Sequence, residues 1–556
     1  MSLLQIRDLD LSFNNQKVVE NVNLSVKIGE VHGLIGESGS GKSLTALSVI
    51  DLLPKNCHID KGEILFKRAA GQEDLLKLSR AELLKVRGAE IGFIFQDPMT
   101  AMNPVILCGR QVMEVLKIHT DLNAKARKEE VLALFKKVKL PDPDKIFNAY
   151  PHEISGGQQQ RVMIAQAVAC KPKLLLADEP TTALDVGVQM GILELLNDLR
   201  KSEALGVLFI SHDLGLIAEF ADTISIMYQG KIIESGSAKQ IHENPQHPYT
   251  KGLLACRPPI DKRLERLPTI SNFLQEKPSS NRPDSITEDV EKRNEVLMHI
   301  DLLSVYYPLK MNFLGKAKEE LHALKNIGFE IFKGESLGLV GESGSGKSTL
   351  GRTLLKLIEA REGTIHYKGQ EIRSLGERQF RQFRKNIQFI FQDPYSSLNP
   401  KIQIGPSIME PALVFGMYKS NEQRKQKVFE LLEQVGLSKS DYHKYPHEFS
   451  GGQRQRIVIA RALILEPEFI ICDEAVSALD VSVQAQILNL LKDLKNDFGL
   501  TYLFITHDLS VVRFFCDRVM VMNSGEIVEI GEADDIFSNP EHDYTLKLME
   551  YARKLG

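Results

Sequence analysis

Short runs that are apolar on both faces recur along the chain. Glu30–Ile35, Lys173–Asp178 and Gly206–Ser211 are of this kind, and so are Glu468–Asp473 and Thr501–Thr506. At strand length and rich in Val, Ile, Leu and Phe, they predict strands buried on both sides of a parallel sheet. Two of them end in the carboxylates Asp178 and Asp473, and two run directly into His212 and His507. Ligands of open α/β sheets sit at the carboxyl ends of the strands, so these groups are expected to line one crevice in each sheet. The first residues, MSLLQIRDLDLSF, alternate like an ordinary strand. Leu44–Leu53 predicts a helix stopped by Pro54. The stretches from Gln96 to Gln158 and from Gln392 to Gln453 are mostly helical in pattern, as in Arg127–Val138 and Lys425–Val435. Each predicts a helical subdomain inserted into a sheet domain. Between Arg257 and Glu295 periodicity vanishes amid Pro, Ser and charge, which predicts a flexible linker.

The whole pattern occurs twice. Phe95-Gln96-Asp97-Pro98 returns 296 positions later as Phe391-Gln392-Asp393-Pro394. Ser155-Gly156-Gly157-Gln158 returns as Ser450-Gly451-Gly452-Gln453, and Asp178-Glu179 as Asp473-Glu474, both 295 positions later. The same offset relates His212 to His507 and His247-Pro-Tyr-Thr250 to His542-Asp-Tyr-Thr545. A constant offset over this length means two copies of one domain, here 1–256 and 296–556, joined by a linker at 257–295. The first copy carries nine more residues ahead of its glutamine, expected as a surface-loop insertion around Arg68–Glu73.

The strand Glu30–Ile35 leads into Gly36-Glu37-Ser38-Gly39-Ser40-Gly41-Lys42-Ser43, which recurs letter for letter as Gly341-Glu342-Ser343-Gly344-Ser345-Gly346-Lys347-Ser348. Strand, glycine loop, helix is the setting of a phosphate cradle. The glycines let backbone N–H groups turn inward around a β-phosphate, lysine adds a charge near the β/γ oxygens, and serine offers a hydroxyl to Mg²⁺. Two copies imply two bound nucleoside triphosphates. The Ser-Gly-Gly-Gln elements open helices with serine near the N-cap and form a second anion site in each half.

Composition removes competing classes. The net charge is −4 and the pI about 6.4, without the basic footprint of a nucleic-acid binder. Aromatic residues make up 7% with no tryptophan, which argues against a base-stacking platform. No apolar run of about 18 residues exists, so the chain is not expected to cross a membrane. Six scattered cysteines have neither metal-ligand nor paired spacing and read as reduced thiols of a cytoplasmic protein.

In order, phosphate loop, glutamine loop, Ser-Gly-Gly-Gln, apolar run with Asp-Glu, Ala-Leu-Asp and a histidine resemble the nucleotide-binding domains of ABC ATPases. The resemblance covers nearly all of both halves. It implies an α/β fold of two tandem P-loop (RecA-like) domains, each with an inserted helical subdomain and a C-terminal oligopeptide-type extension. It also implies head-to-tail pairing, with each ATP held by one half's glycine loop and the other half's serine–glycine motif. On this resemblance Lys42 and Lys347 contact phosphate. Ser43, Gln96 and Asp178, and Ser348, Gln392 and Asp473, hold Mg²⁺ directly or through water. Glu179 and Glu474 polarise the attacking water, and His212 and His507 sense the γ-phosphate. Asp185 and Asp480 communicate between halves, and Phe13 and Tyr307 stack on adenine, although the neighbouring Tyr306 could replace Tyr307. The copies differ at Gln159 and Arg454, Gln166 and Arg461, and Pro180 and Ala475, but neither lacks a catalytic element, so two hydrolytic sites are expected.

Asp-Val-x-Val-Gln (Asp185–Gln189, Asp480–Gln484), Tyr-Pro-His-Glu (Tyr150–Glu153, Tyr445–Glu448) and the terminal His-x-Tyr-Thr elements resemble the peptide and nickel importer branch. A fused pair is similar to the ATPase subunit of microcin C-type or glutathione-type peptide importers. That implies a peripheral protein on the cytoplasmic face of the bacterial inner membrane, bound to two integral-membrane permeases and, through them, to a solute-binding protein. The rival class is a soluble tandem ABC ATPase acting on ribosomes. In place of its Asn-His-Leu-Asp the residues here are Thr181-Thr-Ala-Leu-Asp185 and Val476-Ser-Ala-Leu-Asp480, and in place of its helical arm stands a proline-broken linker.

Overall fold

Residues 2–69, 71–182, 184–274, 295–311 and 317–555 are described by a computed structural model of the chain. They form two compact units, each built from two sheets and a set of helices.

In the first unit the strands are β1 (Ser2–Phe13), β2 (Gln16–Lys27), β3 (Val31–Ile35), β4 (Cys57–Arg68) and β5 (Gly71–Asp74). They continue as β6 (Ile91–Ile94), β7 (Leu174–Asp178), β8 (Gly206–Ser211), β9 (Thr223–Tyr228) and β10 (Lys231–Ser237). The central sheet runs β10-β9-β3-β8-β7-β6, parallel except for the β9–β10 hairpin. Every residue of β3, β7 and β8 is buried, as runs dominated by apolar residues on both faces require. A second, antiparallel sheet, β2-β1-β4-β5, closes the other side of the core. Leu4, Ile6, Leu24 and Val26 from this sheet meet Leu34, Leu174, Leu176 and Leu208 from the parallel one, with Ala46 and Val49 of the intervening helix. The sequence announced only the first strand of that antiparallel sheet.

The helical insertion follows β6. It comprises Pro98–Ala101, Cys108–His119, Ala124–Lys137 and Pro143–Phe147, and returns through Gly156–Val168 to β7. The second unit repeats the plan. Its central sheet has the order Ile387–Ile390, Phe469–Asp473, Thr501–Ile505, Ser336–Val340, Arg518–Asn523, Glu526–Glu532. Its insertion holds Pro394–Ser397, Ile404–Val414 and Asn421–Gln434, then Gly451–Leu463.

Three expectations need correction. The helix placed at Leu44–Leu53 spans Lys42–Val49 and ends before Asp51, which adopts a left-handed φ of 49°. Proline is therefore not what stops it. The extra length of the first copy is not a single surface loop at Arg68–Glu73: β4 already pairs with β1 from Cys57 opposite Phe13, whereas the equivalent strand of the second unit begins at Glu362 opposite Ser304. Arg68–Glu73 itself lies mostly in the β4–β5 hairpin, with Ala70 outside the described residues.

The linker is the third. Ala255–Thr269 packs with the second unit and Ile270–Leu274 is a helix of the first. The polar side chains that made the stretch look like coil are anchors: Arg266 forms a two-pronged pair with Asp493 at 2.8 and 3.0 Å. Asn489 holds both the N–H and the carbonyl of Leu267 at 2.9 Å. The remainder, 275–294, lies outside the described residues.

One half-buried carboxylate ties this segment down. Asp517 accepts from Lys495 Nζ at 2.7 Å, Ser336 N at 2.9 Å and Arg263 Nη2 at 3.0 Å. Burial pushes its carboxyl up, but Lys495, the Ser336 N–H and Arg263 outweigh burial and hold it at about 2, below its ordinary 3.8. The charge therefore adds stability that is present above pH 3.8 and is lost as the pH falls through 2. Asp517→Asn is expected to destabilise the second unit by about 2 kcal/mol at pH 7. In urea titrations its deficit against wild type should narrow from pH 5 towards pH 2; a deficit independent of pH would refute this account.

The rear of the first sheet differs from that of the second. His32 is buried with Nδ1 2.8 Å from Thr223 Oγ1 and Nε2 3.0 Å from Ser225 Oγ, and Ser225 continues to Ser235 at 2.9 Å. Burial lowers its pKa to about 4, so the imidazole is neutral at pH 7. The second unit has Leu337, Arg518, Met520 and Ile530 at these positions. There Arg518 pairs with Glu335 at 3.3 Å and lies over the Phe332 ring.

Candidate functional site

In each unit the glycine loop sits where the first central strand gives way to its helix. Gly41 and Gly346 occupy the N-cap with φ of 103° and 107°, which a side chain would resist. At the loop's start the packing is tighter still. A Cβ on Gly36 would lie 2.1 Å from the carbonyl oxygen of Met227, and one on Gly341 equally close to that of Met522. Lys42 Nζ donates to the carbonyls of Gly36 (2.7 Å) and Glu37 (2.8 Å), and Lys347 does the same to Gly341 and Glu342 at the same distances. Both lysines are thus held over the loop.

The carboxylates arrive on the strand next but one. Ser43 Oγ donates to Asp178 Oδ1 at 3.0 Å, and Ser348 Oγ to Asp473 Oδ1 at 2.8 Å. Burial pushes Asp178 up to about 6 despite the Ser43 bond, and Glu179 beside it adds to the rise. Asp473 is raised by the same causes. A hydroxyl and a carboxylate are hard oxygen donors, and they fit Mg²⁺. Among the described residues no cluster of three His, Cys, Asp or Glu could hold a metal by itself. Such a sparse set suits an ion that takes most of its ligands from phosphate and water.

Next to it, the glutamates draw the other predicted residues together. Glu179 Oε2 accepts from Gln96 Nε2 at 3.1 Å and lies 3.2 Å from His212 Nδ1. Glu474 accepts from Gln392 at 2.7 Å and lies 3.3 Å from His507 Nδ1. Burial works against charge on Glu179, but His212 and Thr182 win and hold the carboxyl at about 2. Glu474 is lowered in the same way, and its carboxylate raises His507 in spite of burial. Two features here escaped the sequence reading. Thr182 Oγ1 donates to Glu179 at 2.8 Å, and Ser477, one repeat later, approaches Glu474 at 3.4 Å. Both glutamates also carry left-handed backbones, φ 46° and 49°, which cost a residue with a Cβ about 1 kcal/mol.

The serine–glycine elements cap their helices as read. Gln158 N donates to Ser155 Oγ at 3.3 Å while Ser155 N donates to Gln158 Oε1 at 3.0 Å, and Ser450 with Gln453 repeats the box at 3.4 and 3.0 Å. Gly156 and Gly451 have only ordinary contact with Leu184 and Leu479 on their Cβ side, whereas Gly157 and Gly452 press against Val188 and Val483. Asp185 caps the next helix by accepting from Val188 N at 2.9 Å. Gln159 and Arg454, which differ between copies, both donate to the carbonyl of a Tyr-Pro-His-Glu proline, at 2.7 and 2.6 Å. Nothing in the structure explains Pro180 against Ala475.

Among the candidate adenine rings, Phe13 is half-buried against the first core. Tyr307 Oη meets Thr349 Oγ1 at 3.3 Å on the helix that the glycine loop opens. Tyr306 instead carries the stacked His322 ring at 4.1 Å and the Arg361 guanidinium at 4.2 Å. Its faces are taken, so Tyr307 is the ring beside the loop.

Comparison with known proteins agrees with this geometry. The ABC transporter family matches residues 19–182 and 324–477, and the oligopeptide/dipeptide transporter C-terminal region matches 233–282 and 528–555. The glutathione import ATP-binding protein GsiA of Salmonella paratyphi A is 45% identical over 554 residues, 98% of this chain and 89% of that protein. Its namesake from Escherichia coli O157:H7 is 45% identical over 559 residues, 99% of this chain and 89% of that one. The chain therefore belongs to the ABC transporter ATP-binding proteins, as a tandem ATPase whose two cassettes each carry the oligopeptide-type C-terminal region.

Proposed function

We propose that the chain energises import of peptides or related small solutes through a bacterial ABC transporter. The observation that carries this reading is 45% identity to glutathione import ATP-binding proteins across 98% of the chain, extensions included. Glutathione, a tripeptide derivative, is the first solute to test. In the working assembly the chain sits on the cytoplasmic face of the inner membrane against two integral-membrane permeases, which connect it to a solute-binding protein. No helix among the described residues is long and apolar enough to cross a membrane.

Each cassette supplies the parts of one hydrolytic centre. Lys42 and Lys347 bind the β/γ-phosphates, and the glycine-loop N–H groups cradle them. Ser43 with Asp178 and Gln96, and Ser348 with Asp473 and Gln392, hold Mg²⁺, which supplies charge at the phosphates when bound. Glu179 and Glu474 orient water, and His212 and His507 report the γ-phosphate. Phe13 and Tyr307 flank adenine, and Ser155–Gln158 and Ser450–Gln453 reach the nucleotide of the opposite cassette. The tandem arrangement on one chain makes that pairing intramolecular.

The helices after the glutamine loops offer the permeases exposed apolar side chains: Met99 is 69% and Tyr395 62% exposed, while Met102 is buried. Met99→Glu with Tyr395→Glu is expected to leave ATP hydrolysis by the isolated chain within twofold of wild type. The same pair should cut solute uptake by cells at least tenfold, with loss of permeases from affinity-purified complexes. Unimpaired uptake would sink the docking role. Recovery of ribosomal proteins in place of permeases would replace the importer reading by the translation-factor class.

A further inference from the structure

The C-terminal extensions contain one contact that reaches the glycine loops. In the first unit Glu234 accepts the N–H groups of Gln246 (2.7 Å) and His247 (3.1 Å) and the Thr250 hydroxyl (2.5 Å). His247 Nδ1 in turn accepts the Tyr249 N–H at 3.1 Å. In the second unit Glu529 takes the N–H groups of Glu541 (2.9 Å) and His542 (3.2 Å), and His542 Nδ1 the Tyr544 N–H at 3.1 Å. This explains the His-x-Tyr part of the repeat physically: a glutamate and a histidine lock a turn that opens a helix and aims a tyrosine, and the threonine joins the lock only in the first unit.

Each tyrosine ends at the same atom. Glu37 N donates to Tyr249 Oη at 3.1 Å, and Glu342 N donates to Tyr544 Oη at 2.9 Å. These N–H groups belong to the first peptide of each glycine loop. The carbonyls of the same peptides, on Gly36 and Gly341, accept Lys42 and Lys347 Nζ at 2.7 Å. One peptide plane is therefore gripped from both sides, by the lysine ammonium and by the tyrosine hydroxyl. A peptide next to glycine rotates easily when released. Rotation would turn a carbonyl where the cradle needs its N–H groups, and the phosphate oxygens compete for the lysine. The hydroxyl is the restraint that such competition does not touch.

We propose that Tyr249 and Tyr544 are positioning residues of the two nucleotide sites, each fixing the first peptide of its glycine loop from the C-terminal extension. The extension is thereby coupled to nucleotide affinity. This rests on the reading that the glycine loops hold ATP. The units differ in how firmly the ring is seated. Tyr249 is fully buried against the Tyr228 ring at 4.2 Å, whereas Tyr544 is partly exposed and Asn523 stands at the position of Tyr228.

The test uses Tyr249→Phe, Tyr544→Phe and both together in the full chain, with ADP and ATP binding by calorimetry and steady-state hydrolysis. Loss of one neutral hydrogen bond predicts that Kd for both nucleotides, and KM for ATP, rise about three- to tenfold at the altered site. Because the glutamates and histidines are untouched, kcat should stay within twofold, a split that general loosening of the fold would not give. Amide exchange at Glu37 and Glu342 in the nucleotide-free chain should quicken by a similar factor. Wild-type affinities with unchanged exchange would overturn the proposal. Tyr544 lies partly at the surface, so Tyr544→Phe decides the matter even if Tyr249→Phe fails to fold. Lys42→Ala with Lys347→Ala separates the two readings. If ATP still binds without both lysines, the loops are not the nucleotide sites. If binding is lost there while the Phe variants bind normally, only the tyrosine role falls.

Discussion

With Glu179 and Glu474 both changed to glutamine, the chain is expected to bind ATP normally and hydrolyse it about a thousandfold more slowly. Glutamine keeps the shape and most of the hydrogen bonds, so the strained backbone at φ 46° and 49° has no new reason to move. What disappears is the negative charge that would orient and polarise water, an effect of about 10²- to 10⁴-fold for a positioned carboxylate. The resting geometry adds a reason for control. Held at about 2 by His212 and Thr182, the Glu179 carboxylate is a feeble base. If His212 turns to a γ-phosphate, Glu179 loses its largest stabilising partner while burial and the Thr182 bond stay, and its basicity climbs, so the base is strengthened by the substrate it serves. Single substitutions separate the sites. Each should remove about half of the turnover if the two fire independently, and nearly all if they fire together. Unchanged turnover in either single variant would mean that its site does no work. A double variant within tenfold of wild type would dismiss the glutamates as the water-orienting groups.

The second large effect concerns Gly36 and Gly341. Ala at either position places a methyl 2.1 Å from a main-chain carbonyl oxygen, Met227 or Met522, where ordinary contact needs more than 3 Å. Backbone on both sides leaves no rotamer to yield, so strand and loop must part by about 1 Å. The expected cost is about 3 kcal/mol or more in the altered unit, with ATP affinity there reduced at least a hundredfold as the cradle opens. Gly39→Ala is the contrast. Its Cβ would meet nothing within 4 Å, and only the left-handed φ of 80° opposes it, at about 1–2 kcal/mol. Calorimetric melting and nucleotide titration of the three variants would show the ranking; a Gly36→Ala chain that melts and binds like wild type would contradict the packing described for the loop.

Much of this arrangement was legible because it is local or repeated. A strand buried on both faces announces itself by apolar residues in succession, as in the four of Leu174–Ala177, and a glycine loop by its spacing. The duplication then told which carboxylates and histidines belong to the same class of place. The parts that stayed hidden depend on partners far apart in sequence. Asp222 and Asp517 look like surface residues, yet each holds the N–H of a central strand more than 180 positions away. The linker's Arg266 and Leu267 read as coil because their partners, Asp493 and Asn489, lie on a helix over 200 positions later. Backbone conformation was equally silent: nothing in Asp-Glu says that the glutamate is left-handed. The His-x-Tyr-Thr turn was visible as a repeat, but its target on the glycine loop was not.

Carrying both copies on one polypeptide has a historical consequence, visible at the back of the two central sheets. There the His32–Thr223–Ser225–Ser235 chain of one cassette has become Leu337, Arg518, Met520 and Ile530 in the other, a hydroxyl relay exchanged for an aliphatic face and an ion pair. The two solutions are made together on one polypeptide, so the contrast owes nothing to differences in habitat or expression. Over the same span the glycine loops have not changed by a single letter. Each half is thus an internal reference for the other: the glycine loop admits one solution in this fold, and the back of the sheet at least two.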